Sequence, residues 1–180
     1  MNPQDCWIQT MEGIFHPLQP VVEEVHIKDI GRALAHICRY TGHVSGFYSV
    51  AEHSVIMATQ TGLTTQDLKM WALLHDAPEA YISDLNQPLK QALPEYRDIE
   101  NGIMAKVSKK FNLEPSIMPM IIKNIDRRMC QDEREVLLPP CDKDWGVGPL
   151  DRLGVQIEQW DPAYSYAMFM ETYYRLGGKD

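Results

Sequence analysis

The chain has 180 residues, a length that fits one domain with a hydrophobic core. Its composition is typical of a globular protein, with 44% hydrophobic and 23% charged residues and no biased tract. The formal net charge of −8 argues against binding to duplex nucleic acid, because such proteins need a broad basic face to neutralise phosphates. A small phosphorylated ligand remains compatible with this charge, since a metal ion and a few cations in a pocket can bind it.

The sequence contains no signal for a membrane or for export. No segment reaches about 18 consecutive apolar residues, so no membrane span is predicted. The first residues, Met1 to Cys6, lack the basic and then apolar profile of a signal peptide. The four cysteines form no CxxC pair and are too few for a disulfide scaffold, which indicates reduced thiols. We therefore expect a cytoplasmic protein that does not bind membranes.

Helical patterns begin after an irregular or extended lead-in at residues 1–25. Apolar residues recur at helical spacing from Ile27 until a glycine stops the run. Ser49 and Glu52 form a capping box, in which each side chain would satisfy the other's free backbone N–H, and the helix it opens is predicted to run to Gly62. A third helix follows Thr64 or Thr65 and is closed by Pro78, because proline disfavours helical geometry at the residue before it.

The second half of the chain is also predicted to be helical. One helix begins at Pro94, another begins at Pro115 or Pro119, and a Pro- and Gly-rich loop covers residues 139–154. Asp161 followed by a proline predicts the start of a last helix, at about 162–176. Strand-period runs are almost absent. The sequence therefore predicts an all-α protein with a single domain, whose functional core spans about 27–137.

Three residues have side chains that could bind a metal ion and positions that packing does not explain. His53 lies in the first turn after the capping box, and His75 and Asp76 are adjacent at a helix end. Imidazole and carboxylate are ligands of borderline divalent metals. A His-Asp pair alone is weak evidence, since a solvated helix C-terminus, where the helix dipole favours histidine, would also explain it.

The wider context of these residues resembles the HD-domain phosphohydrolases. In that family a histidine on one helix precedes an adjacent His-Asp pair on the next, then a Glu three residues further on, and an Asp on a later helix. The sequence has His53, His75, Asp76, Glu79 and Asp126 in this order. The resemblance extends from about residue 27 to residue 126 and reappears in the last helix. It implies a compact HD-domain helical bundle.

The resemblance implies that His53, His75, Asp76 and Asp126 hold one divalent metal ion. Two neutral imidazoles and two carboxylates carry a formal charge of −2, which suits one divalent cation. Zn²⁺ is our first expectation because imidazole favours it, while Mn²⁺, Co²⁺, Ni²⁺ and Fe²⁺ also suit these ligands. A second Mg²⁺ could arrive with a triphosphate.

Asp126 is the predicted ligand for which the sequence offers the most alternatives, both in its own role and in the residue that could replace it. It directly follows the apolar Ile125 on an amphipathic helix, which favours a place near the core. The alternative is an exposed helix carboxylate that pairs with a neighbouring cation such as Arg127. Asp98 and Asp132 are weaker candidates for the ligand, because neither follows a comparable apolar approach.

Two further acidic residues have catalytic roles by resemblance. Glu79 would act as the general acid/base, and Asp84 resembles a second acidic residue near the attacking water. Asp84 could instead be a turn residue after Ser83.

Four residues resemble substrate contacts of the nucleotidase branch of the family. Arg39 and Tyr40 resemble a pair that contacts phosphate and base, although family members carry tryptophan at the second position. Pro88 and Lys90 resemble the rim of the pocket, with the proline against the nucleoside and the lysine on the phosphate. Lys90 could also be a surface lysine, and Arg39 a helix C-terminal charge.

Within the family, the segment from Cys38 to His53 looks most like the small, phage-encoded dATP triphosphohydrolases. This resemblance implies cleavage of dATP to deoxyadenosine and triphosphate, in a homo-oligomer (a dimer or hexamer) in the cytoplasm of a phage host. The alternatives are a 5′-deoxynucleotidase that acts on monophosphates and a non-catalytic nucleotide-binding protein. Four aromatic residues of the last helix fit either a subunit interface or the core: Tyr166, Phe169, Tyr173 and Tyr174.

Overall fold

The computed structural model describes residues 5–60, 62–143, 145 and 151–180. Within these ranges the chain is mostly helical and has one small antiparallel sheet, so the all-α prediction is confirmed. The helices are α1 (Ile27–His36), α2 (Val50–Ala58), α3 (Gln66–Leu74), α4 (Glu79–Ile82), α5 (Gln87–Ala92), α6 (Pro94–Lys110), α7 (Met120–Leu137) and α8 (Pro162–Arg175).

The lead-in before α1 is irregular or extended, as predicted, apart from a 3-10 turn at Val22–Glu24, and part of it belongs to the core. Its strands β1 (Ile8–Gln9) and β2 (Ile14–Phe15) pair antiparallel. The Phe15 side chain is fully buried and stacks on the Tyr81 ring of α4, with 3.7 Å between ring centroids. Val25, just before α1, is also fully buried. The lead-in therefore packs into the same hydrophobic core as the helices.

The core lies where α1, α2, α3 and α8 pack together. Helix α1 approaches α8 closely at Gly31, where a Cβ atom would come within 2.9 Å of the Phe169 ring. Phe169 and Tyr173 of α8 are buried in the core, whereas Tyr174 is 43% exposed. For the two buried aromatics, the core interpretation is confirmed.

The capping box at the start of α2 forms only in part. Ser49 Oγ accepts the backbone N–H of Glu52 at 2.9 Å, as predicted. The Glu52 carboxylate, however, does not complete the box, because it accepts three backbone N–H groups at residues 158–160, at 2.8 to 3.0 Å. Buried at the α2 terminus, this carboxylate fixes the segment that leads into α8. The helix also ends at Ala58, four residues before the predicted Gly62.

The proline signals locate the later helices correctly. Helix α6 begins at Pro94, α7 follows Pro119, and Asp161 Oδ1 caps α8 by accepting the backbone N–H of Tyr164 at 2.9 Å. The described residues of the predicted 139–154 loop are neither helix nor strand, and residues 144 and 146–150 lie outside the described ranges. Helices α4 and α5 were not predicted, because such short helices have too few turns to show periodicity.

Among the described residues, none of the helices has the length and apolar character that a membrane crossing requires.

Candidate metal centre

Three helices bring the predicted metal ligands together. His53 lies on α2, His75 caps the C-terminal end of α3 with Asp76 next to it, and Asp126 lies on α7. Helix α2 packs along α3, and α7 contacts both of these helices. The ligands therefore come from rigid elements that share one core.

The side chains of the four predicted ligands lie close together. His53 Nε2 lies 3.3 Å from His75 Nε2 and 3.3 Å from Asp126 Oδ1. Asp76 Oδ2 lies 3.1 Å from His75 Nε2 and 3.8 Å from His53 Nε2. One ligand atom each from His53, His75 and Asp126 lies within 4.8 Å of the others, so this cluster could hold a metal ion. The cluster contains three of the four predicted ligands, and Asp76 lies beside it without being a member.

Hydrogen bonds on the far side of each imidazole leave the Nε2 atoms available to the centre. His75 Nδ1 lies 2.8 Å from the carbonyl oxygen of Ala72, which can only accept, so Nδ1 carries the proton. His53 Nδ1 lies 2.5 Å from Glu133 Oε1, a carboxylate acceptor. Two Nε2 lone pairs at 3.3 Å would repel each other without a cation or proton between them. This donor set therefore fits a divalent cation.

Glu133 is the main element of the site that sequence reasoning missed. Its carboxylate is fully buried on α7. Oε1 accepts from Tyr48 Oη at 2.9 Å as well as facing His53, and Oε2 accepts from Arg39 at 3.2 Å and from Tyr40 Oη. Its position seven residues after Asp126, on the same face of one helix, was the only signal available in the sequence.

The charges of the site shift its ionisation. Burial would raise the pKa of Glu133, but the Arg39 and His53 charges lower this pKa to about 2. Burial and Arg39 favour a neutral His53 ring, but Glu133 and Asp126 outweigh them and raise the pKa of His53 from 6.5 to about 9. Burial also opposes ionisation of Asp76, but the nearby histidines and Arg39 hold its pKa well below its usual range. In the metal-free chain at neutral pH, these shifts favour charged carboxylates at Glu133 and Asp76 and a protonated His53 ring.

Glu79 and Lys90, which are predicted to have separate roles, form an ion pair. Lys90 Nζ lies 2.9 Å from Glu79 Oε1 and 2.8 Å from Glu100 Oε1. Glu79 is 3% exposed, and its Oε2 has no hydrogen-bond partner within the described ranges. Burial raises the pKa of Glu79, and the charges of Asp76 and Asp84 raise it further against the effect of Lys90. Burial likewise raises the pKa of Asp84, which stands within electrostatic reach of this group.

Arg39 and Tyr40, predicted as substrate contacts, are directed towards the metal ligands. They lie in a tight turn at Arg39–Gly42, where Tyr40 adopts a left-handed φ of 57°. Arg39 is 9% exposed and donates to Asp76 Oδ2 at 3.4 Å as well as to Glu133. Tyr40 Oη donates to Glu133. The Arg39 guanidinium and the Tyr40 hydroxyl therefore both donate hydrogen bonds to carboxylates of the protein.

Comparison with known proteins gives relatives but no activity. No family model matches the chain. Over 155 residues, 84% of each chain, it is 36% identical to the uncharacterized protein YfdR of Escherichia coli K12. The chain belongs to the YfdR family. A second relative, the uncharacterized protein RCAP_rcc00048 of Rhodobacter capsulatus, is 34% identical over 113 residues, 59% of this chain and 57% of that protein.

In this member of the YfdR family, a cavity of about 690 Å³ opens beside the candidate metal ligands. His75, Asp76 and Asp126 are among its lining residues. Lys90 also lines it, whereas Pro88 is exposed in the first turn of α5 and is not among the lining residues. The cavity is thus bounded by the candidate metal centre and by helices α5, α6 and α7.

Two cations that sequence analysis did not select also line this cavity. Arg97 of α6 and Lys123 of α7 are exposed and face the same space as Lys90. Neither side chain has an ion pair or hydrogen bond with any residue that the structure describes. In the sequence they look like ordinary surface charges of helices, so only the tertiary structure distinguishes them.

Proposed function

We propose that the chain is a metal-dependent phosphohydrolase of the HD-domain type. In this proposal it cleaves deoxynucleoside triphosphates to deoxynucleoside and triphosphate, with dATP as the preferred substrate. The observation that carries the proposal is the convergence of His53, His75, Asp76 and Asp126 at one side of a cavity of nucleotide size. Sites for small ligands usually enclose about 300–1,000 Å³, so the volume suits a nucleotide.

The metal ion would be held by the two imidazole Nε2 atoms and the carboxylates of Asp76 and Asp126. When bound, a divalent cation supplies Lewis-acid chemistry, since it polarises a phosphoryl oxygen and makes water acidic enough to react at neutral pH. Zn²⁺ is the first candidate from the ligand types, with Mn²⁺, Co²⁺, Ni²⁺ and Fe²⁺ as alternatives. A second Mg²⁺ would accompany the triphosphate.

Glu79 is suited to move a proton. Lys90 holds its Oε1, and its buried Oε2 is left without a partner in the described part of the chain. Because burial and the neighbouring carboxylates raise its pKa, Glu79 can bind and release a proton closer to neutral pH than an ordinary glutamate. It would take a proton from the attacking water and give one to the leaving oxygen. Asp84 would assist as the second acid near the water.

The substrate would bind through the cations that line the cavity together with the candidate metal ligands. Lys90, Arg97 and Lys123 line this space and would contact phosphate oxygens. The preference for dATP depends on the resemblance of residues 38–53 to the dATP triphosphohydrolases. A homo-oligomer also remains a prediction of that resemblance, which light scattering after gel filtration would test.

One observation favours a second candidate, a 5′-deoxynucleotidase acting on deoxynucleoside monophosphates. The three cations that line the cavity are balanced by three lining carboxylates, those of Asp76, Glu100 and Asp126. One divalent metal ion then leaves two positive charges, which match the dianionic phosphate of a monophosphate. A triphosphate carries more negative charge, so it would need the second Mg²⁺.

A nucleotide panel separates these functions. The purified chain would be incubated with dATP, dGTP, dTTP, dCTP, ATP and dAMP in Zn²⁺, Mn²⁺ or Co²⁺, with and without Mg²⁺, and the products separated by chromatography. We expect dATP to react fastest, to give deoxyadenosine and triphosphate without dADP, and to require Mg²⁺. His75→Ala protein serves as the control for contaminating activity.

Each other outcome has a definite meaning. Phosphate release from dAMP, with dATP left intact, would replace the proposal with the nucleotidase. Accumulation of dADP or dAMP from dATP would refute cleavage of the bond between the α-phosphorus and the 5′ oxygen. A wild-type protein that is inert towards the whole panel would indicate a nucleotide-binding protein without catalysis.

A further inference from the structure

The two candidate histidine ligands are held in the same orientation by different acceptors. His75 donates its Nδ1 proton to a neutral backbone carbonyl, that of Ala72, at 2.8 Å. His53 has a buried carboxylate at this position, with Glu133 Oε1 at 2.5 Å from Nδ1. A charged acceptor at Nδ1 makes the opposite ring nitrogen, Nε2, a more basic metal ligand than a neutral acceptor does. The Nε2 atoms of the two imidazoles should therefore differ in basicity.

The Glu133 carboxylate is itself fixed from several directions. Tyr48 donates to Oε1 at 2.9 Å, while Arg39 and Tyr40 donate to Oε2. A fully buried carboxylate needs such partners, because an unpaired charge is very costly to remove from water. With both oxygens occupied, the carboxylate has little freedom to rotate away from His53.

Arg39 links this carboxylate to the metal ligands directly. One guanidinium nitrogen donates to Glu133 Oε2 at 3.2 Å, and the other donates to Asp76 Oδ2 at 3.4 Å. Its planar fork fixes the separation of the two carboxylates. The guanidinium that sequence resemblance directs at substrate phosphate thus donates its hydrogen bonds to the protein's own acids in the described part of the chain.

We propose that Glu133 is a positioning residue of the metal centre, which holds His53 through Nδ1 and is held in turn by Arg39, Tyr40 and Tyr48. This inference depends on the metal site of the proposed function but not on the nucleotide or the reaction. Glu133 touches neither the cavity nor the converging ligand atoms, so its effect reaches the metal ion through the imidazole. Carboxylates in this role typically change metal affinity 10- to 100-fold.

Glu133→Gln tests the role with a side chain of nearly the same shape. Titration of metal-free protein with Zn²⁺ and with Co²⁺ should give a dissociation constant about 10- to 100-fold higher than that of wild type. Asp132→Asn is the matched control, because Asp132 is the adjacent buried acid and, among the described residues, accepts only the backbone N–H groups of residues 153 and 154. We expect this control to lower the melting temperature but not the metal affinity.

A second measurement uses wild-type protein and does not depend on how the variants fold. In the Zn²⁺-loaded, ¹⁵N-labelled chain, His53 should carry its proton on Nδ1, with a proton resonance further downfield than that of His75 Nδ1. His75, which bonds a carbonyl, is the internal reference.

Unchanged metal affinity in Glu133→Gln, or a His53 Nδ1 signal no further downfield than that of His75, would overturn the inference. A wild-type chain that binds no metal would overturn it together with the metal site. A chain that binds metal but hydrolyses no nucleotide would refute the proposed function alone, and the comparison of affinities would still decide the role of Glu133.

Discussion

Two parts of the site differ in how they are built: the metal side, formed by the candidate ligands and Glu133, and the cation side, formed by Arg97 and Lys123. On the metal side, His53 and Glu133 are fully buried, and every candidate ligand is hydrogen-bonded or ion-paired with another group of the chain. On the cation side, the side chains of Arg97 and Lys123 are exposed and have no partner among the described residues. The metal side is therefore preorganised by folding, while the cation side has positive charge still available to an anion. Changes on the first side should affect metal binding, and changes on the second should affect only substrate binding.

The largest effect should follow removal of a ligand on the metal side. His75→Ala removes one imidazole and Asp126→Ala removes the carboxylate from α7, so either variant should lose the metal ion and reduce activity to background. Elemental analysis of dialysed protein and the nucleotide assay measure the two effects. His36→Ala is the matched control, because His36 is exposed on α1 and contacts only the Arg32 carbonyl. Full metal occupancy in either ligand variant would refute the ligand set.

Glu79 pairs with Lys90 of the cavity lining, and its replacement should separate chemistry from metal binding. Glu79→Gln keeps the shape of the side chain but removes its ability to accept and release a proton. We expect kcat to fall roughly 10²–10⁴-fold, with metal content near normal and KM little changed. Glu100→Gln is the control, since Glu100 is the other carboxylate that binds Lys90. Loss of metal in Glu79→Gln would instead make Glu79 a ligand or a structural residue.

The two sides were also unequally predictable from the sequence. His53, His75, Asp76 and Asp126 could be selected because their order along the chain resembles a known family. Glu133 could not, because its role depends on α7 packing against α2 and on a turn that directs Arg39 inward. No local pattern distinguishes such a buried carboxylate from a solvated one on a helix.

The same limit applied to the fold. Capping residues and prolines located the starts of α6, α7 and α8, because these signals act within a few residues of the helix end. The second half of the capping box failed because Glu52 found three backbone donors more than a hundred residues away. The cavity cations Arg97 and Lys123 were likewise unrecognisable, because only the tertiary structure brings these residues of α6 and α7 to one cavity.

Metal affinity should rise with pH, because metal and proton compete for His53. The ring must be neutral to bind metal, and its pKa in the metal-free chain is raised from 6.5 to about 9. Below about pH 9, metal binding displaces this proton, so the dissociation constant should fall about tenfold per pH unit as the pH rises and level off above pH 9. Calorimetric titration in buffers of different ionisation enthalpy counts this proton.

The stability of the metal-free protein should change with pH in the opposite direction to the metal affinity. A raised pKa means that the protonated His53 stabilises the fold below pH 6.5, and this contribution is lost as the pH rises through about 9. The melting temperature of metal-free protein should therefore fall over that interval, relative to the Zn²⁺-loaded protein. Metal affinity that does not change between pH 6.5 and 9 would refute the competition.

A smaller effect is expected from the free cations. Arg97→Ala and Lys123→Ala should each raise KM for dATP up to about tenfold, which corresponds to about 1.4 kcal/mol, with metal content unchanged. The effect should be greater for dATP than for dAMP, because the triphosphate has more oxygens to contact. Lys109→Ala on α6 and Arg127→Ala on α7 are matched controls, since both are exposed and neither lines the cavity. Equal effects in variants and controls would mean a general charge effect instead of binding.

The smallest effect should come from Pro88, where family resemblance and geometry point in different directions. The resemblance implies a contact with the nucleoside, but Pro88 is exposed in the first turn of α5 and does not line the cavity. Pro88→Ala should therefore leave KM for dATP within about twofold, while the gain in freedom of the unfolded chain lowers stability by about 0.4–1 kcal/mol. Thermal melting and steady-state kinetics measure the two quantities.

Lys90→Ala, two residues further along α5, is the comparison for Pro88→Ala because the Lys90 side chain does line the cavity. We expect this variant to raise KM well beyond the Pro88→Ala value and also to alter the pH profile of kcat, since Lys90 pairs with Glu79. If Pro88→Ala instead raised KM as much as Lys90→Ala, α5 would have to close over the bound nucleotide. The part of the cavity at α5 would then form only when substrate binds, whereas the metal side is already formed by folding.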